Sequence, residues 1–124
     1  MNKQLPRQDG TPAQVYESWK AGIQDTNQWF QVSFFTPKDV TAIATQGRPG
    51  AGQWVTTYRI LYTMDGITWL SYDYDRAFIA NKDDSSIVTN QLRTPLRARA
   101  IRINPLTWNS YISMRAEVYI LSDQ

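Results

Sequence analysis

Residues 112–120, Ile112-Ser113-Met114-Arg115-Ala116-Glu117-Val118-Tyr119-Ile120, alternate without a break. Ile112, Met114, Ala116, Val118 and Ile120 fall on one side, and Ser113, Arg115, Glu117 and Tyr119 on the other. Successive side chains of a strand point to opposite faces, so this is a strand with one face in a core and one in water. Upstream, short runs rich in β-branched and aromatic residues recur between turn signals, at 29–35, 40–45, 55–63, 67–72, 86–89 and 98–103. Thr36-Pro37-Lys38-Asp39 predicts a tight turn, and Asp65-Gly66 predicts the hairpin that joins 55–63 to 67–72. No segment carries a convincing helical period. Short strands with one-sided alternation in 124 residues predict an all-β fold, a single antiparallel β-sandwich domain over residues 1–124. Within it, 28–120 form the sandwich. Residues 1–27, rich in Gln, Pro, Gly and Asp, read as irregular lead-in and loops.

The composition removes several chemistries. The chain has no Cys and no His, so it has no Ser-His-Asp or Cys-His nucleophile pair, no imidazole base, no ordinary zinc site and no disulfide. Two Glu, Glu17 and Glu117, leave a glycosidase carboxylate pair to come mainly from Asp. The net charge is +2, too small to argue for nucleic acid, although Arg93, Arg97, Arg99 and Arg102 have near-alternate spacing that would put three of them on one face of a strand. No run approaches the apolar length of a membrane span. Met1 to Gly10 carry no apolar signal-peptide core, and a chain without Cys suits a reducing cytoplasm as well as an extracellular setting. Asp73, Asp75, Asn81, Asp83 and Asp84 supply oxygen ligands from which a calcium site is conceivable, but their spacing matches no known loop motif and solvated turns explain them better.

What the chain has in surplus is aromatic residues, 13% of positions with five Trp and seven Tyr. Some fall in two connections that break the strand rhythm, 46–54 and 104–111. Loops gather at the ends of a sandwich, and a rigid scaffold that presents Arg, Gln, Trp, Asn and Tyr there suits a small polar ligand. Arg48 and Asn109 would clamp hydroxyls or a carboxylate, with Gln53 closing the first loop. Trp54 or Tyr111 would cover an apolar ligand face. Trp54 and Trp108 read equally as plugs that close the end of the core.

The stretches Ile43-Ala44-Thr45-Gln46-Gly47-Arg48, Gln53-Trp54-Val55-Thr56-Thr57-Tyr58 and Tyr62-Thr63-Met64-Asp65-Gly66-Ile67-Thr68-Trp69 are similar to the consecutive signature of discoidin domains, also called coagulation factor V/VIII type C domains. Ala98 to Pro105, Trp108-Asn109 and Ile112 to Val118 resemble the closing signature of that family, with a flavour nearest the slime-mould discoidin lectins. The resemblance covers about residues 17–120. It implies an eight-stranded jelly-roll sandwich whose protruding loops bind galactose-type sugars in lectin or adhesion roles, anionic phospholipid or collagen. It further implies a ligand-contacting Arg at Arg48, with Gln53 and Trp54 closing that loop, Asn109 in the neighbouring loop before the final strand and Ser18-Trp19 ending the earlier loops, and an extracellular or cell-surface setting. The departures are a first segment compressed into 1–27 and the missing terminal disulfide. A lost first strand would expose an edge of the final strand, which homo-oligomer contacts could cover.

Overall fold

A computed structural model describes residues 2–4, 12–14 and 19–121. Among them nine strands are present: β1 (Asn2–Gln4), β2 (Pro12–Gln14), β3 (Trp19–Lys20), β4 (Phe30–Gln46), β5 (Trp54–Thr63), β6 (Leu70–Ser71), β7 (Phe78–Ile79), β8 (Val88–Asn109) and β9 (Ser113–Ile120). They form one curled sheet in the order β2-β9-β4-β8-β5-β6, antiparallel except where β1 runs parallel to β4. The expected all-β sandwich is the observed fold.

The two layers come from two long strands that bend. The first part of β4, Phe30 to Ser33, pairs with Ile103 to Ala100 of β8, and that half of β8 pairs on its other side with β5. The second part of β4, Val40 to Gln46, lies between the start of β8 and β9. The bend is a β-bulge, because Ser33 faces Ala100 while Lys38 already faces Ala98, so residues 34–37 stand against Arg99 alone. Thr36-Pro37 therefore belongs to a bulge inside one strand that resumes its pairing at Lys38-Asp39, and the four residues are not the expected turn between two strands. Pro37 has no N–H to lose from the ladder and is tolerated there.

Alternation fills the space between the layers. Phe30, Val32, Tyr58, Ile60, Ile101 and Ile103 from one layer meet Val40, Ile43, Met114, Val118 and Ile120 from the other, all essentially inaccessible. Each such side chain contributes about 1.5–3 kcal/mol by leaving water, which makes this packing the main source of stability without disulfides.

Three further expectations are corrected. The segment 104–109 is strand, with Asn104, Pro105 and Asn109 paired to Arg59, Tyr58 and Trp54, so the loop shrinks to the residues after Asn109. The connection after β5 is longer than a two-residue turn, since Tyr62 pairs with Leu70. The Asp65 carboxylate organises it by accepting from the N–H groups of Ile67 at 2.8 Å and Thr68 at 2.7 Å and from Thr63 Oγ1 at 3.0 Å. Those donors lower its pKa to about 2. Finally, residues 1–27 are not wholly irregular: Pro12–Gln14 pair with Tyr119–Glu117 and Trp19–Lys20 with Met114–Ser113. The outer edge of β9 is thus covered by the chain itself, and the argument from a bare edge to self-association falls.

Candidate ligand-binding loops

At one end of the sandwich the turn 47–53 between β4 and β5 meets the turn 109–112 between β8 and β9 and the segment 81–86. The first turn is closed by its own backbone: the Arg48 N–H donates to Gln53 O at 2.9 Å, and the Ala51 N–H donates to Arg48 O at 3.1 Å. Gly50 and Gly52 take φ of +80° and +67°, a backbone that residues with a side chain rarely adopt. Their N–H groups converge on one oxygen of Asp84, Gly50 at 3.2 Å and Gly52 at 3.0 Å. Gly47 makes this junction possible, because a Cβ there would lie 2.6 Å from Gln53 O, 2.7 Å from Trp54 Cβ and 3.0 Å from Asp84 Cα.

The segment that carries Asp84 is itself held from below. Buried Asn81 donates to Thr45 O at 3.0 Å and Ser86 O at 2.9 Å and accepts from Thr45 Oγ1 at 2.8 Å. Asp83 accepts from the N–H groups of Ser85 and Ser86 and from the Ser86 hydroxyl, and these bonds hold its pKa below the usual value. On the far side of the turn, Asn109 Nδ2 donates to Gly52 O at 3.0 Å. The Tyr111 N–H donates to Asn109 O at 2.8 Å, closing a three-residue turn about Ser110 at φ +67°. A tight turn of this hand is strained for a residue with a side chain, and its effect is to hold Tyr111 out from the sheet. Ile112 is tied down behind it by its N–H to Gln24 Oε1.

The expected site residues can now be placed. Gln53, Trp54 and Asn109 are directly joined, since Trp54 and Asn109 are cross-strand partners and Gln53 precedes them in the closed turn. Arg48 is exposed at the turn, with no ion pair or side-chain hydrogen bond among the described residues. Tyr111 is 44% exposed, and the Lys20 ammonium lies 4.6 Å from its ring centre. Asn109 spends one amide hydrogen on the loop, so its Oδ1 and second N–H remain for a ligand.

Trp19 is a correction. Its side chain is 8% exposed and packs at a tilt against Phe30 with ring centres 6.0 Å apart, because its position in β3 faces the core. The neighbour on the opposite face, Lys20, is what β3 contributes to the loops. Ser18 lies outside the described residues. Of the two loop tryptophans, Trp108 packs against the core and Trp54 is half-buried at the surface.

Asp84 and Gly47 were missed as site residues. The polar loop at 81–84 was visible in sequence, but Asp84's partners are more than 30 positions away and nothing local announces them. The oxygen-rich residues considered for calcium are engaged separately: Asp75 with Arg59 and Ser71, Asp73 with Arg76, and Asp84 with the glycines.

The sequence model described as F5/8 type C domain matches residues 3–118. Discoidin-2 of Dictyostelium discoideum is 41% identical over 120 residues, 97% of this chain and 45% of that protein. Retinoschisin of Takifugu rubripes is 40% identical over 108 residues, 83% of this chain and 39% of that protein. The native structure of recombinant discoidin II of Dictyostelium discoideum superposes with a TM-score of 0.83 at 41% identity, covering 86% of this chain and 42% of that one. The chain spans less than half the length of these relatives.

Proposed function

This chain belongs to the F5/8 type C, or discoidin, domain family, and from that premise we propose that it is a non-catalytic carbohydrate-binding module that takes a galactose-type sugar at its loop end. The observation that carries the reading is the Asp84 junction. It fixes the 47–53 turn before any ligand arrives; that turn carries Arg48, which has no ion pair or side-chain hydrogen bond among the described residues, and it is bonded through Gly52 to Asn109, whose carbonyl accepts from the Tyr111 N–H. A sugar ring needs this combination: fixed donors and acceptors for hydroxyls in one plane, and an aromatic face for its apolar side. Preorganisation limits the ordering cost of binding, which matters most for a small ligand with few contacts.

The same geometry disfavours an anionic phospholipid at these loops. The two converging N–H groups that could cradle a phosphate already hold Asp84, and the exposed tip Gly50-Ala51-Gly52 offers one methyl group to a bilayer. Collagen-like protein recognition would use Arg48 and Asn109 as well, but gives no role to the held-out Tyr111 ring.

Calorimetric titration with galactose and N-acetylgalactosamine tests the proposal. Binding by the wild-type chain and at least a tenfold loss in Arg48→Ala, with an unchanged melting temperature, is the expected result. Wild-type affinity in Arg48→Ala would remove the site. Tight binding to phosphatidylserine vesicles without sugar binding would select the lipid reading instead.

A further inference from the structure

The bulge in β4 and the strand opposite it create a second surface that the loop site does not use. On β8, Arg97 and Arg99 are exposed at alternate positions with Leu96 and Ala98 turned inward, and Arg93, exposed beyond the irregularity between Gln91 and Leu96, continues the row on the rim of a concavity that Arg97 also borders. Arg97 bonds Asp39 at 3.1 Å across an exposed contact, whereas Arg93 and Arg99 have no acidic partner among the described residues.

Each end of this row opens into a concavity. Arg99 borders one of about 240 Å³ whose floor is Ala100 and whose walls include Trp69, the bulge residue Phe35 and Ser33. Arg93 and Arg97 border another of about 400 Å³ lined by Tyr62, Tyr72 and Leu96. Asp73 is the acidic group in the second, and it lies 3.7 Å from Arg76. Phe35 is 69% exposed although it is apolar, because the bulge turns it out of the core.

We infer that this edge binds a linear anionic polysaccharide, one carrying carboxylate or sulfate groups, with its charges along Arg93, Arg97 and Arg99 and a ring in the slot between Phe35 and Trp69. Guanidinium forks match carboxylate and sulfate oxygens. A line of charges between two ring-sized hollows fits a chain of rings better than the flat plane of a membrane. The surface is independent of the loop-end reading and would stand if that reading failed.

The test is affinity electrophoresis and calorimetry of the folded chain with dextran sulfate, polymannuronate and neutral dextran. The expected result is binding to the two anionic polymers only, a loss of tenfold or more in the Arg93→Gln/Arg99→Gln double variant, and an unchanged response in Arg48→Ala. Phe35→Ala should weaken polymannuronate binding several-fold without altering its salt dependence, which separates a seated ring from loose charge attraction. Undiminished binding by the double variant, or equal binding by Phe35→Ala, overturns the proposal. So does equal or tighter binding of phosphatidylserine vesicles or a single-stranded oligonucleotide at the same ionic strength, which would assign the edge to another class of partner.

Discussion

The guanidinium of Arg102 lies 3.8 Å from the centre of the Trp69 indole, and Trp29 stacks against it at 3.9 Å. Its Nε donates to Gln31 at 2.9 Å, and burial lowers its pKa. Two rings at such distances from one planar cation must sit on its opposite faces, so three residues from different strands and loops form one stack across the outside of the sheet. Arg102→Ala should lower stability by about 1–3 kcal/mol, and Arg102→Lys should restore little of it, because an ammonium cannot lie flat between two indoles. Denaturant melts of the three chains measure this.

Asp84→Ala removes the shared acceptor of Gly50 and Gly52. The expected outcome is faster amide exchange at 50–52 and a several-fold loss of sugar affinity, with the melting temperature nearly unchanged because the pair is exposed. A stable variant with slow exchange at 50–52 would show that the glycine turn holds itself.

Gly47→Ala acts on the same junction by volume instead of charge. Its methyl group would meet backbone atoms of Gln53 and Asp84 that cannot rotate away, so a loss of about 1–3 kcal/mol is expected, together with loss of binding. Thermal melts and titration of the same sample check both.

Ser110→Gly should relieve the turn at φ +67° and stabilise the chain slightly, yet weaken ligand binding because Tyr111 is no longer held in one position. A rise in melting temperature with a fall in affinity is the signature. Parallel changes in both would argue that the turn serves the fold alone.

Tyr58 sets a limit at high pH. Burial pushes its pKa up to about 12, against 10.0 for a free phenol, with the Asn90 amide donating to its hydroxyl at 3.2 Å. A phenol kept neutral in the fold favours folding fully below the unfolded value. That contribution declines as pH rises from about 10 to about 12. Absorbance titration should lose its last phenol step, near pH 12, in Tyr58→Phe, and that variant should retain more of its stability across the interval.

The places where the sequence reading failed share a cause. A Pro and an Asp at 37–39 look like a reversal from local chemistry, yet β4 continues because Val40 to Gln46 find partners on both sides, Val88 to Leu96 and Arg115 to Ile120. Trp19 enters the expected site through the resemblance, as the end of the earlier loops. Its pairing with Met114 turns the indole into the core. Each local preference is worth about 1 kcal/mol or less, and each was overruled by pairing or burial worth more.

By itself the sequence determined the class of fold and the kind of work excluded. A period of two repeated along the chain requires a half-buried sheet, and an absent side chain such as His or Cys is absent in every conformation. It also placed Arg48, Gln53, Trp54, Asn109 and Tyr111 near loops, because Gly, Pro and Asn mark turns locally. What depended on the tertiary fold is which residues join them, Asp84 and Gly47 at the 47–53 turn and Lys20 at Tyr111. Those contacts join residues far apart in the chain, and their formation depends on how two long strands bend around one core.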